Sequence, residues 1–137
     1  RCVSAWLALD TVSASNGCVY VVPGSNRVQL PRIPSHGTGR FLRQADISGF
    51  DVSAAIPLEM ARGEFFLFDC WLLHSSGRND SGRGRLGLSM QFIPPEVKLE
   101  LGRLRERNPG YGVQLVRGVD RLRLNPRAPA PPGCATA

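Results

Sequence analysis

From Arg85 to Phe92 the sequence reads RLGLSMQF, an unbroken alternation. Leu86, Leu88, Met90 and Phe92 take one phase, and Arg85, Gly87, Ser89 and Gln91 take the other. A period of two puts alternate side chains on opposite faces of a pleated strand and does not fit a helix of about 3.6 residues per turn. Pro94-Pro95 ends the pattern, because proline gives no ladder donor. Upstream, FFLFDCWLLH (Phe65 to His74) is too apolar for a half-exposed strand and predicts a buried one that ends at His74. VSAWLALD (Val3 to Asp10) and CVYVV (Cys18 to Val22) are also β-like. They flank the turn-forming TVSASNG, and Pro23-Gly24 stops the second, so they predict an antiparallel pair on a short loop. IPLEM (Ile56 to Met60) reads as another short strand, with ARGE as a tight turn after it. Several short strands with turn signals between them make the chain mainly all-β, a sandwich or jelly roll.

Other segments carry different signals. Between Ser25 and Ala55 periodicity weakens and Pro and Gly recur; a stretch of that length is either a lid or binding loop, or a plain surface excursion. In EVKLELGRLRER, Val97, Leu101 and Leu104 recur at helical spacing just after Pro95, predicting a short amphipathic helix with its arginines in solvent. YGVQLVRGVDRLRL reads as one or two edge strands, and NPRAPAPPGCATA has a disordered composition. The expected organisation is a β domain over 1–95, a helix with edge strands over 96–124 and a disordered tail over 125–137.

The chain's 137 residues suit one domain with its own core. No apolar run approaches the ~20 residues that cross a bilayer, and the opening RCVSAWLALD lacks a signal-peptide layout. It does not begin with Met, so a piece of a longer product is expected. Cys2, Cys18, Cys70 and Cys134 form no C-x-x-C pair, which argues against a zinc ribbon. Cys2, Cys18 and Cys70 lie in apolar runs and are expected to be buried thiols in a reducing, cytoplasmic setting. The net charge of +6 is nearly all arginine, Lys98 being the only lysine. Charge alone would admit a nucleic-acid-binding domain, but no reader motif and no interleaved aromatics accompany it, so nucleic acid is not expected as a partner.

The chemistry-bearing residues are His74 and Arg85. A lone histidine at a strand end is more often structural than a ligand, and most arginines are merely solvated. Together they suggest more. If their strands are antiparallel neighbours, both side chains can face one cavity. Arg85 shares its phase with the small Gly87 and Ser89, leaving room for a bidentate grip on a carboxylate. A neutral imidazole nearby suits a divalent metal. Arg83, cut off from the alternation by Gly84, belongs to the loop.

Four stretches in order, VSAWLALD, NGCVYVVPGS, PLEMARGEFFLFDCWLLHSSGRN and RGRLGLSMQFIPP, resemble the phytanoyl-CoA dioxygenase family of Fe(II)- and 2-oxoglutarate-dependent oxygenases. The resemblance covers Val3 to Pro95 and implies a double-stranded β-helix, a cupin-like jelly roll that is here incomplete, with a short C-terminal helix. It implies that His74, within HSSGRN, is the distal iron ligand, and that Arg85, eleven residues later, holds the C5 carboxylate of 2-oxoglutarate. Ser76 would hydrogen-bond that co-substrate and Trp6 would line the pocket; read blandly, Ser76 is loop and Trp6 is core. The implied cofactors are Fe(II), 2-oxoglutarate and O2, with ascorbate as reductant. The implied substrate is a small or lipid-like molecule hydroxylated at an unactivated C–H, with release of succinate and CO2.

Two departures stand out. After PGS the family has a histidine where this chain has Asn26; His36, later in the loop, is a candidate for the substrate mouth. The family's other two ligands form a His-x-Asp pair shortly before the SAW strand. This sequence contains no H-x-D and no H-x-E, and the corresponding position would fall before Arg1. Three readings follow: an oxygenase, a related halogenase in which a small residue replaces the carboxylate, or a non-catalytic jelly roll that keeps the fold without iron.

Overall fold

The computed structural model describes residues 2–35 and 43–129. His36 and Cys134 lie outside the described residues. The chain divides into two units, 1–92 and 93–137.

The first unit is built from antiparallel β-structure, as the alternation requires. Its strands are β1 (Val3–Ala8), β2 (Val19–Val21), β3 (Arg32–Pro34), β4 (Arg43–Ala45), β5 (Ile56–Leu58), β6 (Phe65–Asp69), β7 (His74–Ser76) and β8 (Gly87–Phe92). They form a sheet of order β6-β1-β8, a second of order β5-β2-β7, and a β3-β4 pair. Apart from the β3-β4 pair, consecutive strands therefore alternate between sheets. The expected β1–β2 pair does not form: β1 pairs with β6 and β8, while β2 pairs with β5 and β7. The connecting Ser13–Gly17 turn is closed on itself instead. Ser13 N–H donates to Asn16 Oδ1 and Cys18 N–H to the Ser13 carbonyl, and the chain leaves it toward the other sheet.

Both sheets supply one core. Trp6 and Ala8 from β1 meet Val19 and Val21 from β2, joined by Val12 and Cys18, with Phe66, Phe68, Leu58, Met60 and Leu72 packed around them. Fully burying a valine such as Val12, Val19 or Val21 is worth roughly 1.5–3 kcal/mol. The register explains which faces turn inward. Trp6 is paired with Phe66 and with Ser89, so Phe66, Phe68, Gly87, Ser89 and Gln91 share the inner face. Hence the small, polar phase of β8 is the one that faces the core. The apolar phase of β8 turns out, with Leu88 45% exposed, and so do Phe65 and Leu67 of β6, 62% and 61% exposed.

The run from Phe65 to His74 is not a single buried strand. It breaks after Asp69, whose carboxylate accepts the Trp71 N–H at 2.9 Å and whose carbonyl accepts the Leu72 N–H at 2.9 Å. That side-chain-capped turn lifts the chain out of one sheet, and His74 opens β7 in the other.

In the second unit the helix α1 spans Leu101–Arg107 and starts later than its apolar spacing suggests. The buried Asn125 explains the delay. Its Oδ1 accepts the Leu99 N–H at 2.7 Å and its Nδ2 donates to the Val97 carbonyl at 2.8 Å, so the backbone at 97–99 is committed elsewhere. The tail expected from position 125 thus begins with a residue held at both ends of its carboxamide. The edge strands expected over 111–124 do not form. Gly118 at φ 83° and Arg123 at φ 49° sit in the left-handed region, which a ladder cannot accommodate. Among the described residues no helix is long and apolar enough to cross a membrane.

Candidate metal and carboxylate site

The turn Pro23-Gly24-Ser25 begins the site. Gly24 lies at φ 76°, a conformation that favours glycine, and directs Ser25 inward, where it is buried. Ser25 Oγ accepts the Leu73 N–H at 2.8 Å, and the Leu73 carbonyl accepts the Val22 N–H at 3.0 Å. The backbone just before His74 is therefore pinned from both sides.

His74 pairs with Val21 across β7–β2, and Ser76 pairs with Val19. Since Val19 and Val21 are buried core residues, the side chains of His74 and Ser76 leave that sheet on its core-facing side, at its exposed rim. The His74 ring stands edge-on to Phe68, with centroids 5.0 Å apart. Its Nδ1 lies 2.8 Å from the Leu72 carbonyl. A carbonyl can only accept, so Nδ1 carries a proton, and in the neutral ring Nε2 keeps its lone pair. Metal-binding histidines are commonly oriented in this way.

Arg85 lies two residues before β8 and is half-buried. Its guanidinium carbon lies 5.2 Å from the Trp6 ring centroid, a cation–π stack, and Nη2 donates to the Gly17 carbonyl. That bond uses one of the fork's five N–H groups. The space that Gly87 was expected to leave open is occupied by the indole. A Cβ at Gly87 would fall 2.1 Å from a Trp6 ring carbon, so Trp6 needs the glycine beneath it. Arg83 is exposed, and its carbonyl, not its guanidinium, is engaged, by Asn79 Nδ2 at 2.6 Å.

His74 and Arg85 do not stand on neighbouring strands, since β7 pairs with β2 and β8 with β1. They are joined along the core face by a row of rings. Arg85 stacks on Trp6, Trp6 lies 6.2 Å from Phe66, Phe66 stacks on Phe68 at 5.0 Å, and Phe68 meets His74. The loop between them is stitched to the Ser13–Gly17 turn. Asp80 N–H donates to the Ser15 carbonyl, and Gly77 N–H to the Cys18 carbonyl. Gly17 sits close against Gly77, where a side chain would meet backbone at 3.0 Å. Asn26 is half-buried in the 3-10 turn Ser25–Arg27.

Tested against iron, the chain fits in part. His74 presents one suitable nitrogen. Among the described residues no group of three or more His, Cys, Asp or Glu side chains converges to hold a metal. Sequence reasoning missed Ser25 as the residue that fixes the His74 backbone. The signal was the Pro-Gly-Ser turn, since a glycine forced into the left-handed region aims the next side chain.

The profile of the family described as phytanoyl-CoA dioxygenase (PhyH) matches residues 1–87. An uncharacterised protein of Mycobacterium tuberculosis is 31% identical over 103 residues, covering 75% of this chain and 33% of that protein. Phytanoyl-CoA dioxygenase 1 of Oryza sativa subsp. japonica is 30% identical over 102 residues, covering 69% of this chain and 34% of its own length. Among solved structures, EvdO2 of Micromonospora carbonacea var. aurantiaca, complexed with 2-oxoglutarate, superposes with a TM-score of 0.54. It is 23% identical, and the match covers 66% of this chain and 36% of EvdO2. That likeness bears on the fold, and it agrees with the antiparallel two-sheet architecture. The chain spans about a third of the length of the curated relatives it matches.

Proposed function

The chain belongs to the phytanoyl-CoA dioxygenase family, and from that premise we propose that it is the distal-histidine and carboxylate-binding part of an Fe(II)- and 2-oxoglutarate-dependent dioxygenase. The substrate class is a small or lipid-like molecule hydroxylated at an unactivated C–H, with succinate and CO2 as co-products. One observation carries the reading: the Leu72 carbonyl fixes the His74 tautomer so that Nε2 is the nitrogen left to bind.

Each residue has a part. His74 Nε2 supplies one ligand. Arg85, stacked on Trp6 and tied to Gly17, presents its remaining N–H groups to the C5 carboxylate of 2-oxoglutarate. Ser76, on the same face as His74, offers a hydroxyl to that co-substrate. Trp6, Phe66 and Phe68 make the apolar wall between the two polar ends and keep water from it. Iron, when bound, supplies the oxidation, in which decarboxylation of 2-oxoglutarate and O2 reduction drive substrate hydroxylation.

The test is succinate release with iron, 2-oxoglutarate and ascorbate. It is run on the 137-residue chain and on a longer product that carries the same sequence behind an in-frame His-x-Asp. The short chain is expected to release none above background, because a facial site needs three protein ligands. The longer product is expected to release succinate in an iron-dependent manner and to stop doing so on His74→Ala. A longer product indifferent to His74 removes the oxygenase reading. A second reading, a jelly roll that binds no iron, is favoured by the absence of a converging ligand set among the described residues; less than one iron per longer chain at saturation selects it.

A further inference from the structure

The β1–β6 register pairs Val3 with Asp69, so the next cross-strand pair along the ladder is Cys2 with Cys70. The ladder does continue there, since Cys70 N–H donates to the Cys2 carbonyl at 3.3 Å. Antiparallel partners that share such a bond have Cα atoms about 5.5 Å apart, within the range of about 4.4–6.8 Å that a disulfide spans. Alternation puts both side chains in phase with Ser4 and Phe68, on the inner face. Burial and then a hydrogen bond to Cys70 raise the Cys2 pKa above its ordinary value. Both cysteines are half-buried, whereas Cys18 is fully enclosed in the core. The pair also sits at a mechanically important place. Phe68, their neighbour on the same face, is the ring against His74, and Cys70 enters the Asp69-capped turn that leads to His74.

We propose that Cys2 and Cys70 form a redox-active dithiol that closes to an intramolecular disulfide when it meets a small-molecule disulfide such as oxidised glutathione, bracing the turn that carries the chain to His74. The inference stands on strand register and is independent of the oxygenase reading. The chemistry balances in two exchanges. With Cys2 held protonated, Cys70 attacks oxidised glutathione; its sulfur bonds to one glutathione sulfur, and the other leaves as the thiolate. Cys2 then attacks the Cys70 sulfur. The mixed disulfide breaks, the Cys2–Cys70 bond forms, and a second glutathione leaves. The two thiol protons pass to the two glutathione thiolates, and two electrons pass from the protein sulfurs to glutathione. In a reducing medium the pair rests as thiols, so the disulfide is a response to oxidant and not a permanent staple.

The experiment uses the Cys134→Ser chain, which keeps three of the four cysteines, incubated with oxidised glutathione and then alkylated and mapped by mass spectrometry. The free-thiol count is expected to fall from three to one, with a Cys2–Cys70 cross-linked peptide, Cys18 alkylated, and full recovery in dithiothreitol. In the Cys2→Ser variant of that chain, one glutathione is expected to stay trapped on Cys70. Amide exchange over Trp71–His74 is expected to slow in the oxidised chain and to be unchanged by glutathione in the Cys2→Ser variant. Independent glutathione adducts on both cysteines, disulfide-linked dimers, no loss of thiol, or exchange indifferent to oxidation would each overturn the proposal.

Discussion

Where His74 is oriented by a carbonyl two residues before it, Arg85 is held by a carbonyl 68 residues away. The histidine stands exposed at a sheet rim, and its geometry is written into one turn, from the Asp69 cap to the Leu72 carbonyl, with Ser25 as a brace. The arginine is half-buried, and its position depends on β1 and β8 being in register and on Gly87 leaving space for Trp6. A locally made ligand survives loosening of the core. A guanidinium clamped between distant elements does not. The two halves of the candidate site should therefore fail separately.

The largest effect tests that separation directly. Trp6→Ala removes a buried indole that touches β6, β8 and Arg85, and is expected to destabilise the fold by about 3–5 kcal/mol, read from urea unfolding. In the portion that stays folded, the Nδ1 proton of His74 should remain observable by NMR, since the Leu72 carbonyl is untouched. Loss of both together would show that the halves are one cooperative unit. Next comes Arg85→Ala. If a charge-assisted fork holds the co-substrate, the longer product should need more 2-oxoglutarate by the equivalent of about 1.5–3 kcal/mol. Arg83→Ala, at an exposed loop position, should change little. Equal effects would mean that the wrong arginine has been placed on the inner face. Ser25→Ala acts on the histidine half. It deprives the Leu73 N–H of its acceptor, at a cost of about 1 kcal/mol because Leu73 is only half-buried and water can substitute. Faster amide exchange at Leu73, with no change at Arg85, is the expected signature.

The same division marks what the sequence disclosed. Alternation in RLGLSMQF was enough to put Arg85 in phase with Gly87 and Ser89, and the register confirms that this phase shares a face with Trp6. Period-two patterning survives because each strand residue reports its own side. The pattern did not say which face is the core, and here the apolar phase of β8 turns outward, with Leu88 and Phe92 exposed. Hydrophobicity also hid the break at Asp69, since Cys70, Trp71, Leu72 and Leu73 are as apolar as the strand before them; the single carboxylate in that run was the available sign. Strand partners were not legible. Neighbours in sequence usually pair, but here, apart from the β3-β4 pair, they alternate between sheets, so β1 and β2 do not pair and a row of rings, not strand adjacency, links His74 to Arg85. Nothing in local spacing could have told that Asn125 would hold 97–99 and delay α1.

The smallest expected effect lies at the local extreme. Asp46 accepts the Ser48 hydroxyl at 2.6 Å and the Ser48 N–H at 2.9 Å, a bond pattern closed within three residues. The hydroxyl first, and then the N–H, favour the charged carboxylate and hold its pKa below the ordinary range. Asp51 does the same with Ser53. A depressed folded-state pKa contributes stability that is present above the unfolded value and is lost as pH falls through the folded one. Asp51 is exposed and Asp46 only half-buried, so the effect is read from titration and not from unfolding. In a carboxyl-carbon NMR titration Asp46 should protonate later than an ordinary aspartate as the pH is lowered, and Ser48→Ala should return it toward the ordinary value while leaving Asp51 low. Trp6→Ala should leave both unmoved in the folded molecules, because neither depends on a strand register. If the Asp46 titration shifts with Trp6→Ala, the contrast between locally and distantly held groups does not describe this chain. The independence expected of His74 would then lose its basis as well.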